Sequence, residues 1–363
     1  MNALISFIIL GILVAIPWFG VGILGLDSLF GIVIPYICFL VFIIGLIYKI
    51  VYWAKSPVPY KIPTTCGQQK SLSWVKRSLR DRLENPFTTW EVVLRMFFEV
   101  VFFRSLFRNL RADLQGKRLI YGSAKWLWLG AILFHWSLFI ILLRHIRLFT
   151  NPVPGIIEKL DYLDSFIQSL GVPPIYLTDI LILAGLTFLL LRRFIDSKVS
   201  YLSYGSDFFP LFLLIGIGVT GVLMRYYFKV DLYAVKQLTL GLATLHPTIP
   251  EGAKIGTIFY IHLFLVSSLA AYFPFSKLVH MVGIFFSPTR NMANNTRYKR
   301  HVNPWEYPIK HYTYYEFQER FKDKMIEAGI PIDEEVQPEG EYEWYSLYIK
   351  GSKLPPKVPK IKS

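Results

Sequence analysis

Cysteine is almost missing from this chain: Cys38 and Cys66 are the only two in 363 residues. Neither stands in a C-x-x-C-H pattern or a four-cysteine spacing, which argues against covalent c-type haem and against an intrinsic iron–sulfur cluster. Acidic residues are scarce too, 25 against 39 Lys and Arg, and the long apolar runs hold too few carboxylates to build a proton relay. No internal repeat and no pair of broken midplane segments is present, which argues against a transporter. A cleavable leader is not expected either. The first apolar run starts almost at Met1 without a basic n-region or a small-residue cleavage site, so it is expected to be retained.

What the chain does have is hydrocarbon. Hydrophobic residues make up 53% of it, and mean hydropathy is +0.42. Runs rich in Leu, Ile, Phe and Val near 3–25, 31–53, 124–149, 175–195, 207–228 and 255–285 approach or exceed the roughly 20 residues that cross a bilayer. The expectation is an all-α integral membrane helix bundle of about six transmembrane helices, with a cytoplasmic amphipathic loop and an extended C-terminal tail. Four segments follow: a two-helix membrane hairpin (1–55), a basic cytoplasmic or interfacial segment (56–123), a four-helix domain (124–285) and a basic tail (286–363).

Lys and Arg orient such a bundle because they stay on the cytoplasmic side. Segments 54–123, 192–206 and 286–363 hold 13, 3 and 13 of them, whereas segments 150–174 and 229–254 hold 1 and 3. Both termini are therefore expected in the cytoplasm of a multi-pass cell-membrane protein. The net charge of +14 clusters beside helix ends, where topology and anionic lipid account for it, so no nucleic-acid partner is expected.

Smaller features fill in the loops. The 56–123 segment opens on Pro57, Pro59 and Pro63 and becomes a basic helical stretch around Trp74 to Arg82. In WEVVLRMFFEVVFFRSLF, positions 90–107, Arg95, Glu99 and Arg104 interrupt the apolar run, which predicts an interfacial amphipathic helix and not a seventh span. Pro152, Pro154, Pro173 and Pro174 end helices at the outer membrane edge. The tail is aromatic and basic, closes on KLPPKVPKIKS, and lacks the apolar periodicity of a separate core, so a partner is expected to order it.

Four histidines lie inside two of the apolar runs: His135 and His145 in one, His262 and His280 in the other. Imidazole is costly in hydrocarbon, and two pairs facing each other across a bundle provide the axial ligands of two non-covalent b haems. Antiparallel direction pairs His135 with His280 toward the cytoplasm and His145 with His262 toward the outside. Their spacings rise about 15 Å and about 27 Å on an ideal helix, so tilt and a kink at Pro274 must absorb a difference. Arg144 and Arg147 flank His145, either snorkelling to the interface or contacting a haem propionate or quinone carbonyl. His246, Glu158, Asp161 and Asp164 are weaker candidates for proton or quinone chemistry, with ordinary loop roles as the alternative, and His301 and His311 fall in the tail.

The pattern His135-x9-His145 followed by His262-x17-His280 resembles the gamma subunit of respiratory nitrate reductase, a diheme cytochrome b that oxidises quinol. The tail FFSPTRNMANNTRYKRHVNPW, positions 285–305, is similar to the DsrM-type (HmeC-type) branch, found in the membrane complex associated with dissimilatory sulfite reduction. Arg144 departs from the nitrate reductase pattern, which has a small residue before the outer-haem histidine. The resemblance implies two haem b, with His135 and His280 on the inner iron and His145 and His262 on the outer one. It also implies menaquinol as donor and a cytoplasmic iron–sulfur partner related to heterodisulfide reductase. Further cytochrome c, ferredoxin-like and membrane quinone-interacting subunits would complete the assembly. Electrons would then cross from menaquinol at the outer face to that partner. Rival readings are the cytochrome b of a membrane heterodisulfide reductase or of a quinone-reducing complex and, in another class, a haem-free membrane anchor.

Overall fold

The computed structural model describes residues 2–56, 74, 76–165, 175–250, 252, 255–295 and 312–332. Pro57, Pro59, Pro63, Cys66, Pro173, Pro174, His301, His311 and the Lys- and Pro-rich end lie outside the described residues.

Apolar composition and helix formers give α1 (Asn2–Gly22) and α2 (Ile34–Ala54), the latter continuing a π turn at Leu29–Val33. Short α3 (Leu79–Glu84) and the longer α4 (Thr89–Phe102) each start on a capping box, Ser78 with Asp81 and Thr88 with Glu91. After α5 (Arg104–Arg108) comes an element the sequence reading did not anticipate, a hairpin of β1 (Leu110–Gln115) and β2 (Arg118–Ser123). Gly116 makes its tight turn possible by taking φ of +62°. The bundle then continues through α6 (Lys125–His145), α7 (Gly155–Asp164), α8 (Leu177–Ile195), α9 (Ser197–Tyr201), α10 (Gly205–Leu223), α11 (Leu232–Ala243) and α12 (Thr257–Tyr272). Two very short helices, α13 (His280–Gly283) and α14 (Pro288–Asn291), follow.

This is a multi-pass membrane protein. Among the described residues, five helical stretches are long and apolar enough to cross a membrane: 2–22, 29–54, 125–148, 205–228 and 257–275. Between 17% and 33% of each is buried inside the chain, so most of their apolar surface faces outward, as lipid-exposed helices require. The expected span 175–195 is helical, as α8 of 19 residues, but Asp179, Arg192 and Arg193 lie near its two ends and it is not among the five. The six-span count is therefore five clear spans plus this more polar helix.

Helix α8 packs between α6 and α10, α10 packs on α12, and α1 lies against both α10 and α12 with α2 on the far side of α12. The core between α6, α8 and α10 is Phe134, Ile182, Leu186 and Leu214. Helices α6 and α12, which carry three of the four singled-out histidines, make no extensive contact with each other.

The run 255–285 is not one helix. Pro274 has no amide hydrogen to continue the ladder, and after Tyr272 the chain passes through two single 3-10 turns separated by an extended Ser276 before α13. Buried Pro274 sits against Gly45 of α2, where a Cβ would come within 2.8 Å of the proline ring. The break thus depends on glycine at that position.

The amphipathic helix α4 turns its polar side inward. Arg95 and Glu99 are buried while Trp90, Val93 and Phe97 are exposed. An Arg95 Nη donates to the Glu84 carbonyl at 3.2 Å, and Glu99 accepts from the Ser105 amide and hydroxyl at 3.1 and 2.5 Å. Part of the tail motif is fastened nearby: the Asn294 amide donates to the Pro86 carbonyl at 2.6 Å, and Asn294 and Asn85 bond through their side chains.

Residues 303–363 form a unit of their own, the first unit being 1–302. Its described part is α15 (Tyr314–Glu327), 14 residues opened by a Thr313–Glu316 capping box. The weak apolar period there hid a helix that local capping and the Tyr314, Phe317, Phe321 spacing support.

Candidate functional site

The histidines form two groups, one beside the middle of α6 and one at its end. His135 lies ten residues into α6 and His280 opens α13, with ring centres 6.1 Å apart and planes at 77°. An iron atom bonded to both imidazoles, about 2 Å per bond, holds their centres about 6 Å apart. His145 closes α6, and His262 in α12 lies within electrostatic reach of it.

Hydrogen bonds fix which ring nitrogen is free. Nδ1 of His135 lies 2.7 Å from the Ala131 carbonyl, that of His145 2.7 Å from Ile141, and that of His280 2.7 Å from Lys277. A carbonyl can only accept, so each Nδ1 carries the proton and each Nε2 keeps its lone pair. His262 reaches the same state by another route. The Thr220 hydroxyl donates back along α10 to Gly216 or Ile217, at 2.8 and 3.0 Å, and so accepts from His262 Nδ1 at 2.9 Å. All four imidazoles are thus held in one tautomer by a partner on Nδ1, the arrangement that makes Nε2 a metal ligand. Among the described residues no cluster of three or more His, Cys, Asp or Glu forms a metal cage. Two axial imidazoles are all that a haem iron takes from the protein in bis-histidine ligation.

The surroundings of the two groups differ. Phe103, at the end of α4, holds φ of 49° in the left-handed region and sets its ring edge-on to His135 at 5.0 Å. A bulky residue there costs on the order of 1–3 kcal/mol, which its neighbours must offset. The indoles of Trp128 and Trp136 do so by donating to the Phe102 and Val101 carbonyls at 2.7 and 3.0 Å, stapling the end of α4 to α6.

The other end is a charge network. Arg144 is buried and pairs with Asp161 at 3.1 Å and with Asp164, while Thr178 donates its hydroxyl to Asp164 at 2.6 Å. Arg147 pairs with Asp161 at 2.6 Å. Tyr176 has a guanidinium over its ring from both Arg144 and Arg225, at 3.6 and 3.9 Å. Burial pushes the Asp161 carboxyl upward, but Arg147, Arg144 and the Tyr176 hydroxyl outweigh it and hold the group below the usual carboxylate range. Asp161 and Asp164 are therefore committed to ion pairs instead of lying in a solvated loop.

Two crevices open at this end. One of about 230 Å³ is lined by Arg147, Val153, Ile157, Glu158 and Asp161. The second, about 290 Å³, is lined by Ile175, Asp179, Ile180, Leu183, Val222 and Tyr226. In it the Tyr226 hydroxyl donates to Asp179 at 3.1 Å, with Arg225 4.0 Å from the same carboxylate. His246 is exposed on the loop after α11, its Nδ1 on the Thr244 carbonyl at 2.8 Å.

Thr220, Phe103, Tyr176, Asp179 and Tyr226 escaped the sequence reading. Asp179 alone left a signal, as a carboxylate in the opening turn of an otherwise apolar helix.

Residues 92–300 match the family described as nitrate reductase gamma subunit. An Archaeoglobus fulgidus protein described as "Hdr-like menaquinol oxidoreductase cytochrome b-like subunit" is 48% identical over 280 residues, covering 77% of this chain and 83% of that protein. A protein of the same description from Archaeoglobus profundus is 46% identical over 276 residues, covering 75% of this chain and 81% of its own.

Proposed function

Because the chain belongs to the nitrate reductase gamma subunit family, we propose that it is the membrane diheme cytochrome b subunit of a menaquinol-oxidising complex. It takes electrons from menaquinol near the outer face and delivers them to a cytoplasmic iron–sulfur subunit of the heterodisulfide-reductase type, in sulfite respiration. The names of the two relatives support the menaquinol and heterodisulfide-reductase parts, and the tail motif at 285–305 supports the sulfite setting.

The observation that carries the reading is the common tautomer of four imidazoles arranged as two groups, three of them in membrane-length helices. His135 and His280 would hold the inner haem iron, and His145 and His262 the outer one. When bound, each b haem supplies one-electron chemistry at its iron. The chain's share is ligation, low-dielectric packing and control of the ligand nitrogens through Ala131, Ile141, Lys277 and Thr220.

Oxidising a quinol to a quinone removes two electrons and two protons, so the quinol end needs a proton acceptor beside an apolar slot. The crevice at the start of α8 meets that need: Ile175, Ile180, Leu183 and Val222 suit the ring system, and Asp179 takes a hydroxyl proton while Tyr226 orients the carboxylate. Arg144, locked by Asp161 and Asp164, positions α7 against the bundle beside His145. Arg147 is the better candidate for a haem propionate, being half-exposed and, among the described residues, paired with Asp161 alone.

The test is reduction of the purified complex with a menaquinol analogue, followed in the visible spectrum. Haem bands that reduce in the wild type and disappear in the His135→Ala, His262→Ala double variant support the reading. A haem-free chain that still assembles with its partners would replace it with the anchor reading.

A further inference from the structure

The β1–β2 hairpin exposes an apolar face. Pairing places Leu110, Ala112 and Leu114 opposite Ser123, Tyr121 and Leu119, so these residues share one face of the ribbon. Every one of them is exposed, Leu110 and Leu114 at 67% and Tyr121 at 61%. The other face carries Arg111 and Asp113, which bind the chain just after α8: Arg111 reaches Asp196 at 2.8 Å, and Lys198 pairs with Asp113. Two ion pairs thus tie the polar face to the chain, whereas the apolar face has no cover among the described residues. A two-stranded ribbon is marginal by itself, and exposed ion pairs add little to it, so the apolar face needs a cover.

We propose that this face docks an acidic soluble protein, the subunit that takes electrons from this chain; the identity of that subunit rests on the reading above. Two observations select this occupant. Across residues 104–125 six Lys or Arg stand against one carboxylate, Asp113; Arg104 and Arg108 pair with Glu84 and Arg111 with Asp196, and Lys117 and Arg118 at the turn with Lys125 at the base leave the rim of the apolar patch basic. The hairpin is also fastened at its base to the inner histidine pair. The Ala124 amide donates to the Asn109 carbonyl at 3.1 Å, Trp128 stacks edge-on with Phe107 at 4.9 Å, and α4 ends on Phe103 against His135. A protein seated on Leu110, Leu114, Leu119 and Tyr121 is thereby held beside the histidines from which electrons must leave.

The experiment places a nitroxide on Leu114→Cys, in a chain with Cys38→Ser and Cys66→Ser, and compares the full chain alone in nanodiscs with the assembled complex. The expected result is a label open to a water-soluble nickel chelate in the chain alone and shielded several-fold from it in the complex. A label already shielded from nickel and open to oxygen in the chain alone would show that lipid covers the patch, and would overturn the proposal. In parallel, Leu114→Glu with Leu119→Glu is expected to lose the electron-accepting subunit on purification while keeping the wild-type haem content and quinol reduction. Retention of that subunit by the double variant also overturns it. Haem content is read in the same preparation, so failure of docking and failure of the cytochrome reading give different results.

Discussion

Replacing Thr220 with Val tests whether the hydrogen bond to His262 serves a metal ligand. Valine has nearly the same shape, and Thr220 is 7% exposed, so the change removes an oxygen acceptor and little else. Its hydroxyl lies 2.9 Å from His262 Nδ1, where the Ile217 carbonyl is a second acceptor, whereas the other three histidines use backbone carbonyls alone. Losing such a partner typically lowers metal affinity about 10–100-fold, or about 1.4–2.8 kcal/mol. The expected outcome is selective weakening of one haem, measured by pyridine haemochrome content and by haem titration of the apoprotein. Thr220→Ser keeps the acceptor and should bind as the wild type does. If Thr220→Val held both haems with unchanged affinity and midpoint potentials, the role of Thr220 in supporting a ligand at His262 would be refuted.

Other consequences follow from the same geometry. Asp164→Ala leaves the Arg144 guanidinium, 4% exposed, without its closest charge partner, and breaking a buried pair in this way costs about 3–5 kcal/mol; unfolding in mixed detergent micelles should show a loss of that size, and a change within error would contradict it. Asp161 has a lowered pKa in the folded chain, so its contribution is present above the ordinary carboxylate value, about 4, and is lost as pH falls further through the lowered one. Acid titration of stability should therefore show a loss below about pH 4 that is smaller in Asp161→Asn. Asp179→Asn removes the proton acceptor and should slow quinol-driven haem reduction by about 10²–10⁴-fold while leaving the dithionite-reduced spectrum unchanged. An unaltered rate would move the quinol site away from α8.

The bundle was legible because length and apolarity alone mark α1, α2, α6, α10 and α12. Helix α8 was legible as an apolar run, but Asp179, Arg192 and Arg193 make it a more polar helix than the other five. The break after Tyr272 was only half visible. Pro274 announces a kink, but the size of the interruption depends on Gly45 of α2 admitting the proline, a contact between residues 229 positions apart in sequence. The hairpin escaped because its alternation, Leu110, Ala112, Leu114, points at solvent within this chain. Hydrophobic periodicity reports that a face is covered, not by what, and here the cover would come from another molecule. The histidines stood out as costly residues in hydrocarbon, whereas Thr220 did not, because a threonine that back-bonds along its own helix is unremarkable in a membrane.

The most direct measurement is the haem-to-protein ratio of the purified full chain, by pyridine haemochrome with reduced-minus-oxidised spectra. Two non-covalent b haems per chain are expected, falling when His135 or His262 is replaced by Ala. A folded preparation, grown with ample haem, that binds none would contradict the assignment of the four imidazoles as ligands.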